Sequence, residues 1–143
     1  MVFDEISRFY ARYRGQKCII GYSFCGRPIF AFHVGDPFGR QFISSYAIHG
    51  REWITARLAL RHVVRPVSCG GWIVPLVNPD GVTIAQTDFP MWKANARGVD
   101  LNVNFDACWG SGRLNTRERG GENCIGDRPF SEGERLARAR PWV

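Results

Sequence analysis

The chain has 143 residues, of which 45% are hydrophobic and 22% are charged, and its formal net charge is +6. This length suits one domain with a sizeable core, and the composition excludes disordered and fibrous proteins. No apolar run approaches the roughly 20 residues that cross a bilayer, and the N-terminus lacks the basic flank and apolar stretch of an export signal. We therefore expect a single domain over residues 1–143, with no membrane span and a cytoplasmic location by default.

The five cysteines and the positive charge do not indicate a site. The cysteines are widely spaced and form no Cys-x-x-Cys pair, so we expect reduced thiols rather than a thiolate zinc site or a disulfide framework. Much of the basic excess falls on a helix stripe of Arg57, Arg61 and Arg65 and on the C-terminal stretch. No aromatic-interleaved basic groove accompanies it, so we expect solvated faces and no nucleic-acid partner. Nucleic-acid binding therefore ranks last among the alternative functions. If it occurred, the affinity for nucleic acid would fall steeply with salt concentration.

The first quarter of the sequence predicts a helix followed by a hairpin. Apolar side chains recur at helical spacing over residues 3–13, and a glycine follows as a stop. Two β-like runs, 18–24 and 28–34, are joined by a short turn segment. His33 lies in the second run and has no partner at metal-binding spacing, so it is interpreted as structural, as is His62 farther along.

Residues 42–64 come next and contain a strand-to-helix junction with a candidate metal site. Residues 42–48 predict a buried central strand, and residues 54–64 predict a helix. This helix is expected to pack five apolar side chains against the sheet, namely Ile54, Leu58, Leu60, Val63 and Val64. His49 and Glu52 then lie at the strand-to-helix junction, where open α/β sheets place ligands. A spacing of three puts both on one face of a helical turn, about 5–6 Å apart at Cβ, so they can share a zinc ion. In isolation, a surface histidine beside a solvated glutamate is the more common explanation of such a pair.

The following segments predict a strand over residues 72–77, a tight turn over 78–81 and a loop over most of 85–97. Residues 98–105 alternate between apolar and polar side chains. In an extended conformation, one face carries three polar side chains, namely Asp100, Asn102 and Asn104. An edge strand with a polar outer face has the same pattern.

A glycine-rich excursion follows Phe105. The sequence Ser131-Glu132-Gly133-Glu134 then has the form of a capping box, which predicts a helix that begins near Ser131.

Four motifs in this order resemble the zinc carboxypeptidase family, of which carboxypeptidase A is the familiar member. They are His-Gly-Arg-Glu-Trp-Ile-Thr-Ala at 49–56, Val-Asn-Pro-Asp-Gly at 77–81, Gly-Val-Asp-Leu-Asn-Val-Asn-Phe at 98–105 and Pro-Phe-Ser-Glu at 129–132. The resemblance runs from about residue 24 to 134 and covers only the earlier part of a family catalytic domain. It implies an α/β fold, carboxypeptidase-like but truncated, with a mixed central sheet flanked by helices on both sides.

The resemblance also implies a zinc site. His49 and Glu52 match the first two zinc ligands of the family. Asp100 matches a carboxylate that orients the ligand histidine and strengthens its basicity.

Substrate-binding residues follow from the same resemblance. Arg51 matches an arginine that contacts substrate, and Lys93 falls where many members carry an arginine that stabilises the oxyanion, with Arg97 as a nearby substitute. The family pairs the asparagine equivalent to Asn102 with an arginine that holds the substrate's terminal carboxylate, but Val103 stands there instead. The sequence of residues 92–102 is similar to that of bacterial peptidases that cleave γ-D-glutamyl-diaminopimelate bonds. A peptidoglycan stem peptide is therefore a second candidate substrate class.

The family's third zinc ligand and catalytic glutamate follow the capping-box helix, and this sequence has no match for them. Two ligands bind zinc weakly, and a metal-bound water then lacks its proton acceptor. We expect a zinc-dependent metallopeptidase that hydrolyses peptide bonds, present here as a truncated, frameshifted or fragmentary member. The alternative is a catalytically inactive remnant or a binding module of the same fold.

Overall fold

A mixed β-sheet forms the centre of the computed structural model, which describes residues 1–65 and 67–134. In chain order the described elements are α1 (Val2–Arg12), β1 (Lys17–Tyr22), β2 (Pro28–Val34), β3 (Gln41–Ser45), a first 3-10 turn (Gly50–Glu52), α2 (Ile54–Val63), β4 (Gly70–Val74), α3 (Pro79–Thr87) and a second 3-10 turn (Leu101–Val103).

The strands lie in the order β1-β2-β4-β3. The pairs β1-β2 and β2-β4 are antiparallel, which confirms the predicted hairpin, whereas β3 and β4 are parallel. All residues of β4 are buried, because it lies between two other strands. The strand before His49 forms as predicted, but its predicted buried, central position is wrong: β3 lies at the sheet edge among the described residues, and Ile43 is 61% exposed.

Two apolar clusters cover the two faces of the sheet. All three described α-helices contribute to the first cluster, through residues that include Ile6, Ala59 and Val82. The second cluster contains Val77 and Leu101 but no residue from these helices, so in the described part of the chain the expected α-helices cover one face only.

Helix α2 packs through only part of the predicted face. Its buried residues are Ala56, Ala59 and Val63, spaced three and four apart, as one helical stripe requires. Val63 and the partly buried Leu60 pack into the first cluster as predicted. The prediction is wrong for three residues that are exposed, namely Ile54, Leu58 and Val64.

The predicted tight turn at residues 78–81 is instead the first turn of α3. The Oδ1 atom of Asn78 accepts a hydrogen bond from the Gly81 amide at 2.8 Å, and Pro79 occupies the first helical turn. Asparagine at the N-cap followed by proline is a favoured helix start. The same four residue types are also typical of turns, which explains the misassignment.

The predicted extended conformation of residues 98–105 is also wrong. Asp100 accepts a hydrogen bond from the Asn102 amide at 3.0 Å through Oδ1, and this cap starts the second 3-10 turn. Asp100 and Asn104 are buried whereas Asn102 is exposed, so the three polar side chains do not share one face.

The described part of the capping-box segment, Ser131 to Glu134, is not helical, and the Ser131 hydroxyl donates to Glu132 Oε1 at 2.7 Å. Any helix after Glu134 lies outside the described residues, as does Pro66. None of the described helices combines the length and apolar character needed to cross a membrane.

Candidate metal centre

His49 and Glu52 face each other at the end of the β3 segment. After Ser45 the chain stays bonded to the β4 segment, since the Tyr46 amide donates to Val74 O and the Val77 amide donates to Tyr46 O, both at 3.0 Å. His49 then caps the first 3-10 turn in extended backbone conformation. Its Nδ1 lies 2.7 Å from Oε1 of Glu52, with side-chain exposures of 13% and 44% respectively.

Gly50 allows this turn to approach α3. A Cβ at this position would lie 2.3 Å from the carbonyl oxygen of Gly81 and 2.8 Å from that of Trp92. The Gly50 amide also donates to the Lys93 carbonyl at 3.0 Å. The turn that carries the histidine and the glutamate is therefore fixed against both α3 and the segment that carries Lys93.

Asp100 lies behind the histidine ring. Its Oδ1 is 3.3 Å from His49 Nε2, and its Oδ2 is 2.8 Å from Lys93 Nζ. Both His49 Nε2 and Asp100 Oδ2 are buried, and neither makes a hydrogen bond of good geometry among the described residues. These contacts are therefore close electrostatic pairs, and the His49 and Asp100 atoms that take part in them are shielded from solvent.

The pKa values of His49 and Asp100 are both shifted in the direction that favours an ion pair between them. Burial alone would raise the pKa of Asp100, but the neighbouring His49 ring and Lys93 ammonium outweigh burial and hold it at about 2. The Asp100 carboxylate raises the pKa of His49 above its ordinary value, and burial opposes this rise. Asp100 is thus an anion at neutral pH, able to hold the proton of the imidazole at Nε2.

The donor set fits the first half of the zinc site that the resemblance implies. An imidazole nitrogen and a carboxylate oxygen converge, while the second ring nitrogen faces a buried carboxylate, the arrangement that metal-binding histidines usually have. Zinc accepts this combination of nitrogen and oxygen ligands. In the described ranges, however, no group of three or more histidine, cysteine, aspartate or glutamate side chains is arranged to hold a metal ion.

Two of the other predicted site residues, Lys93 and Arg51, lie near His49, Glu52 and Asp100. Lys93 lies beside Asp100, as described above, and is also 3.3 Å from Asn123 Oδ1. Arg51 lies between His49 and Glu52 in sequence, and its Nη1 lies 2.6 Å from Glu122 Oε1.

Arg97 and Asn102 have different surroundings. The guanidinium of Arg97 contacts Asp127 and Glu132 and lies over the ring of Phe24. Asn102 is exposed and borders a surface cavity of about 230 Å³ together with Val103.

Sequence reasoning missed one part of the site. Glu122 contacts Arg51, Asn123 contacts Lys93, and the carbonyl of Cys124 accepts a hydrogen bond from the Asp100 amide at 2.9 Å. The sequence predicted only a glycine-rich surface loop for this stretch, and the spacing of its residues does not relate it to residues 49–52. These contacts depend on long-range folding.

Known proteins are similar to this chain in sequence and in structure. The model of the zinc carboxypeptidase family matches residues 67–140, more than half of the chain. The gamma-D-glutamyl-L-diamino acid endopeptidase 1 of Lysinibacillus sphaericus is 26% identical, covering 97% of this chain and 45% of that protein. Human mast cell carboxypeptidase A is 28% identical, covering 82% of this chain and 34% of that protein. The chain thus spans less than half the length of these curated relatives.

Solved structures support the same resemblance. Bovine thrombin-activatable fibrinolysis inhibitor, solved with tick carboxypeptidase inhibitor, has a TM-score of 0.75 at 25% identity, covering 92% of this chain and 49% of that chain. Murein-tripeptide amidase MpaA from Escherichia coli O157 has a TM-score of 0.55 at 29% identity, covering 85% of this chain and 53% of that chain. The carboxypeptidase-like α/β fold expected from the sequence is confirmed.

Proposed function

Because this chain belongs to the zinc carboxypeptidase family, we propose that it carries the first half of a zinc-dependent peptidase site and serves peptide-bond hydrolysis. Residues 1–143 would then form part of the catalytic domain. The observation that carries the proposal is the His49 ring, which has a carboxylate at each nitrogen: Glu52 at 2.7 Å and Asp100 at 3.3 Å.

In this proposal each of these residues has a separate role. His49 binds zinc through Nδ1 and Glu52 binds it through a carboxylate oxygen, while Asp100 holds the ring orientation from behind. Zinc bound at such a site polarises the scissile carbonyl and lowers the pKa of a bound water. The half-exposed side chain of Glu52 leaves room for the small movement that ligation requires.

Lys93 is proposed to stabilise the oxyanion. Its ammonium has three N–H donors, and the contacts with Asp100 and Asn123 occupy at most two of them. One donor therefore remains for a substrate oxygen. Arg51, Arg97 and Asn102 are proposed as substrate-binding residues, of which Arg51 is the best supported because it adjoins Glu52 and is held in place by Glu122.

The substrate proposal follows from the missing arginine. With Val103 beside Asn102, the described residues at this position offer no guanidinium for a bidentate pair with a peptide's terminal carboxylate. This weakens ordinary C-terminal exopeptidase specificity. Two of the similar proteins are named for related peptides: one is a gamma-D-glutamyl-L-diamino acid endopeptidase and the other is a murein-tripeptide amidase. We therefore favour a γ-D-glutamyl-diaminopimelate stem peptide as substrate.

A non-catalytic binding module of the same fold is the second candidate. The specific observation in its favour is that the described residues bring together only two zinc ligands. Such a module binds zinc weakly and hydrolyses nothing.

Zinc titration by calorimetry tests the proposed ligands. We expect the metal-free chain to bind one zinc ion with proton release, and Glu52→Gln to weaken binding at least about tenfold, because a neutral amide replaces a ligand carboxylate. His33→Gln is the matched control, because His33 lies on β2 and its ring contacts the Gln41 side chain of β3, not a proposed ligand. Equal zinc affinity in the wild type and Glu52→Gln would remove the metal assignment.

Hydrolysis assays with the zinc-loaded chain then separate the two candidates. The substrates are a γ-D-glutamyl-diaminopimelate tripeptide and a linear peptide with a free C-terminus. Cleavage of the tripeptide supports the peptidase proposal and its substrate class. Specific zinc binding without cleavage of either peptide supports the binding module.

A further inference from the structure

The loop from Lys93 to Asp100 leaves the candidate metal centre and returns to it. At one end, Lys93 O accepts the Gly50 amide hydrogen bond, and at the other end, Asp100 N donates to Cys124 O. The two end side chains meet at 2.8 Å, and Asp100 also lies 3.3 Å from the His49 ring. The conformation of this loop therefore determines where the Asp100 carboxylate and the Lys93 ammonium lie relative to His49.

The side chain of Asn95 closes the loop. Its Oδ1 accepts hydrogen bonds from the amides of Arg97 at 2.9 Å and Val99 at 3.0 Å. The Asn95 amide in turn donates to the Val99 carbonyl at 2.9 Å, and the Gly98 amide donates to the Asn95 carbonyl at 3.1 Å. One asparagine thus makes four hydrogen bonds to the three consecutive residues that lead directly into Asp100.

The other end of the same side chain is held by two buried carboxylates. Asn95 Nδ2 donates to Glu132 Oε2 at 2.8 Å and to Glu134 Oε2 at 3.3 Å. Asn95 is fully buried, and the two glutamates are 1% and 3% exposed. A buried amide with both ends bonded cannot rotate without leaving several polar groups unpaired.

We propose that Asn95 is a positioning residue for the candidate metal centre, acting through the closed loop to hold Asp100, which is paired with Lys93, against His49. This inference rests on the proposed function for its biological meaning, since it deepens the account of the same site. Loss of the Asn95 side chain is expected to release the histidine ring while the rest of the fold remains, whether or not the chain binds zinc or hydrolyses a peptide.

The test is imidazole NMR on the metal-free chain, which contains only three histidines. In the wild type we expect a slowly exchanging Nε2 proton on His49, because this atom is buried against Asp100. Asn95→Ala is expected to lose that resonance and to shift the His49 ring signals, with the signals of His33 and His62 unchanged.

Asn104→Ala is the matched control. Asn104 is also a buried asparagine, and its Nδ2 donates to the Ile125 and Arg128 carbonyls and to the Ser131 hydroxyl. Both variants should lower the melting temperature, but Asn104→Ala should keep the His49 Nε2 signal. Retention of the signal in Asn95→Ala, or its loss in both variants, would overturn the inference.

Amide hydrogen exchange in the wild type covers the case in which Asn95→Ala does not fold. The amides of Arg97 and Val99 should exchange slowly because Asn95 Oδ1 accepts from both. Exchange as fast as in exposed loops would show that the asparagine does not close the loop, and the inference would fail. Failure of the zinc or hydrolysis assays leaves these measurements unaffected, so the two proposals fail separately.

Discussion

At the scale of single residues, Asp100 is the centre of the site's electrostatics. It is fully buried, with an imidazole beside one oxygen and an ammonium beside the other. A carboxylate in such a position is stable only while its positive neighbours remain, because burial alone favours its neutral form. The residue predicted from family resemblance to orient the histidine is therefore also the one whose charge most requires a partner.

Removing the ammonium should destabilise the fold. Lys93→Met leaves Asp100 buried without its cation, and we expect a loss of about 3 kcal/mol in the free energy of unfolding. Urea denaturation measures this loss. Adding Asp100→Asn to Lys93→Met should restore part of the stability, since no buried charge then remains unpaired. A Lys93→Met protein as stable as the wild type would mean that the ion pair contributes little.

Glu134 gives a pH-dependent prediction of its own. Burial raises the pKa of its carboxyl above the ordinary value of 4.5, against the opposing hydrogen bonds from the backbone and Asn95. The folded state therefore binds this proton more tightly than the unfolded state. The resulting stability is present below pH 4.5 and is lost as pH rises through the folded-state pKa.

Glu134→Gln removes this titration. We expect the free energy of unfolding of the wild type, relative to the variant, to fall as the pH is raised from about 4 to about 7. Urea denaturation at several pH values measures the difference. A constant difference across this range would show that Glu134 titrates alike in both states.

At the scale of elements, the contact between the first 3-10 turn and α3 fixes the positions of His49 and Glu52. Gly50→Ala places a Cβ 2.3 Å from Gly81 O, and backbone atoms cannot move aside cheaply. We expect overpacking to cost about 2 kcal/mol and to weaken zinc binding, because the turn must shift. Gly39→Ala is the control, since its Cβ meets only the Asp36 side chain, at 3.3 Å or more. Similar losses in both variants would contradict this account.

The sequence predicted the elements whose signals are local. Helix α1, the hairpin and the strand-to-helix junction follow from side-chain periodicity within a few residues. The start of α3 and the turn at Leu101–Val103 were missed because asparagine and aspartate caps resemble turns or alternating strands in sequence. Local spacing also suggested that His49 and Glu52 converge.

The rest of the site depends on the fold. Asp100 and Lys93 were identified only by family resemblance, and their mutual ion pair was not anticipated. Glu122 and Asn123 were not identified at all, because a side chain that arrives from a distant loop leaves no periodic signal. Asn95 was not identified either, although its side chain closes the loop.

At the scale of the whole molecule, β3 is an open edge in the described part of the chain. It pairs with β4 on one side, and no other described strand pairs with its second side. Residues Gln41, Ile43 and Ser45 are exposed along it. An exposed edge strand with an apolar side chain is a template for pairing with another chain.

We therefore expect the 143-residue chain to self-associate through β3 as its concentration rises, measured by sedimentation velocity. Ile43→Lys should shift the distribution toward monomer, because a charged side chain on an edge strand opposes strand pairing. Leu114→Lys adds the same charge at a side chain that is 74% exposed and lies outside the sheet, so it controls for net charge. A wild type that stays monomeric, or equal effects of both lysines, would show that the edge does not drive association.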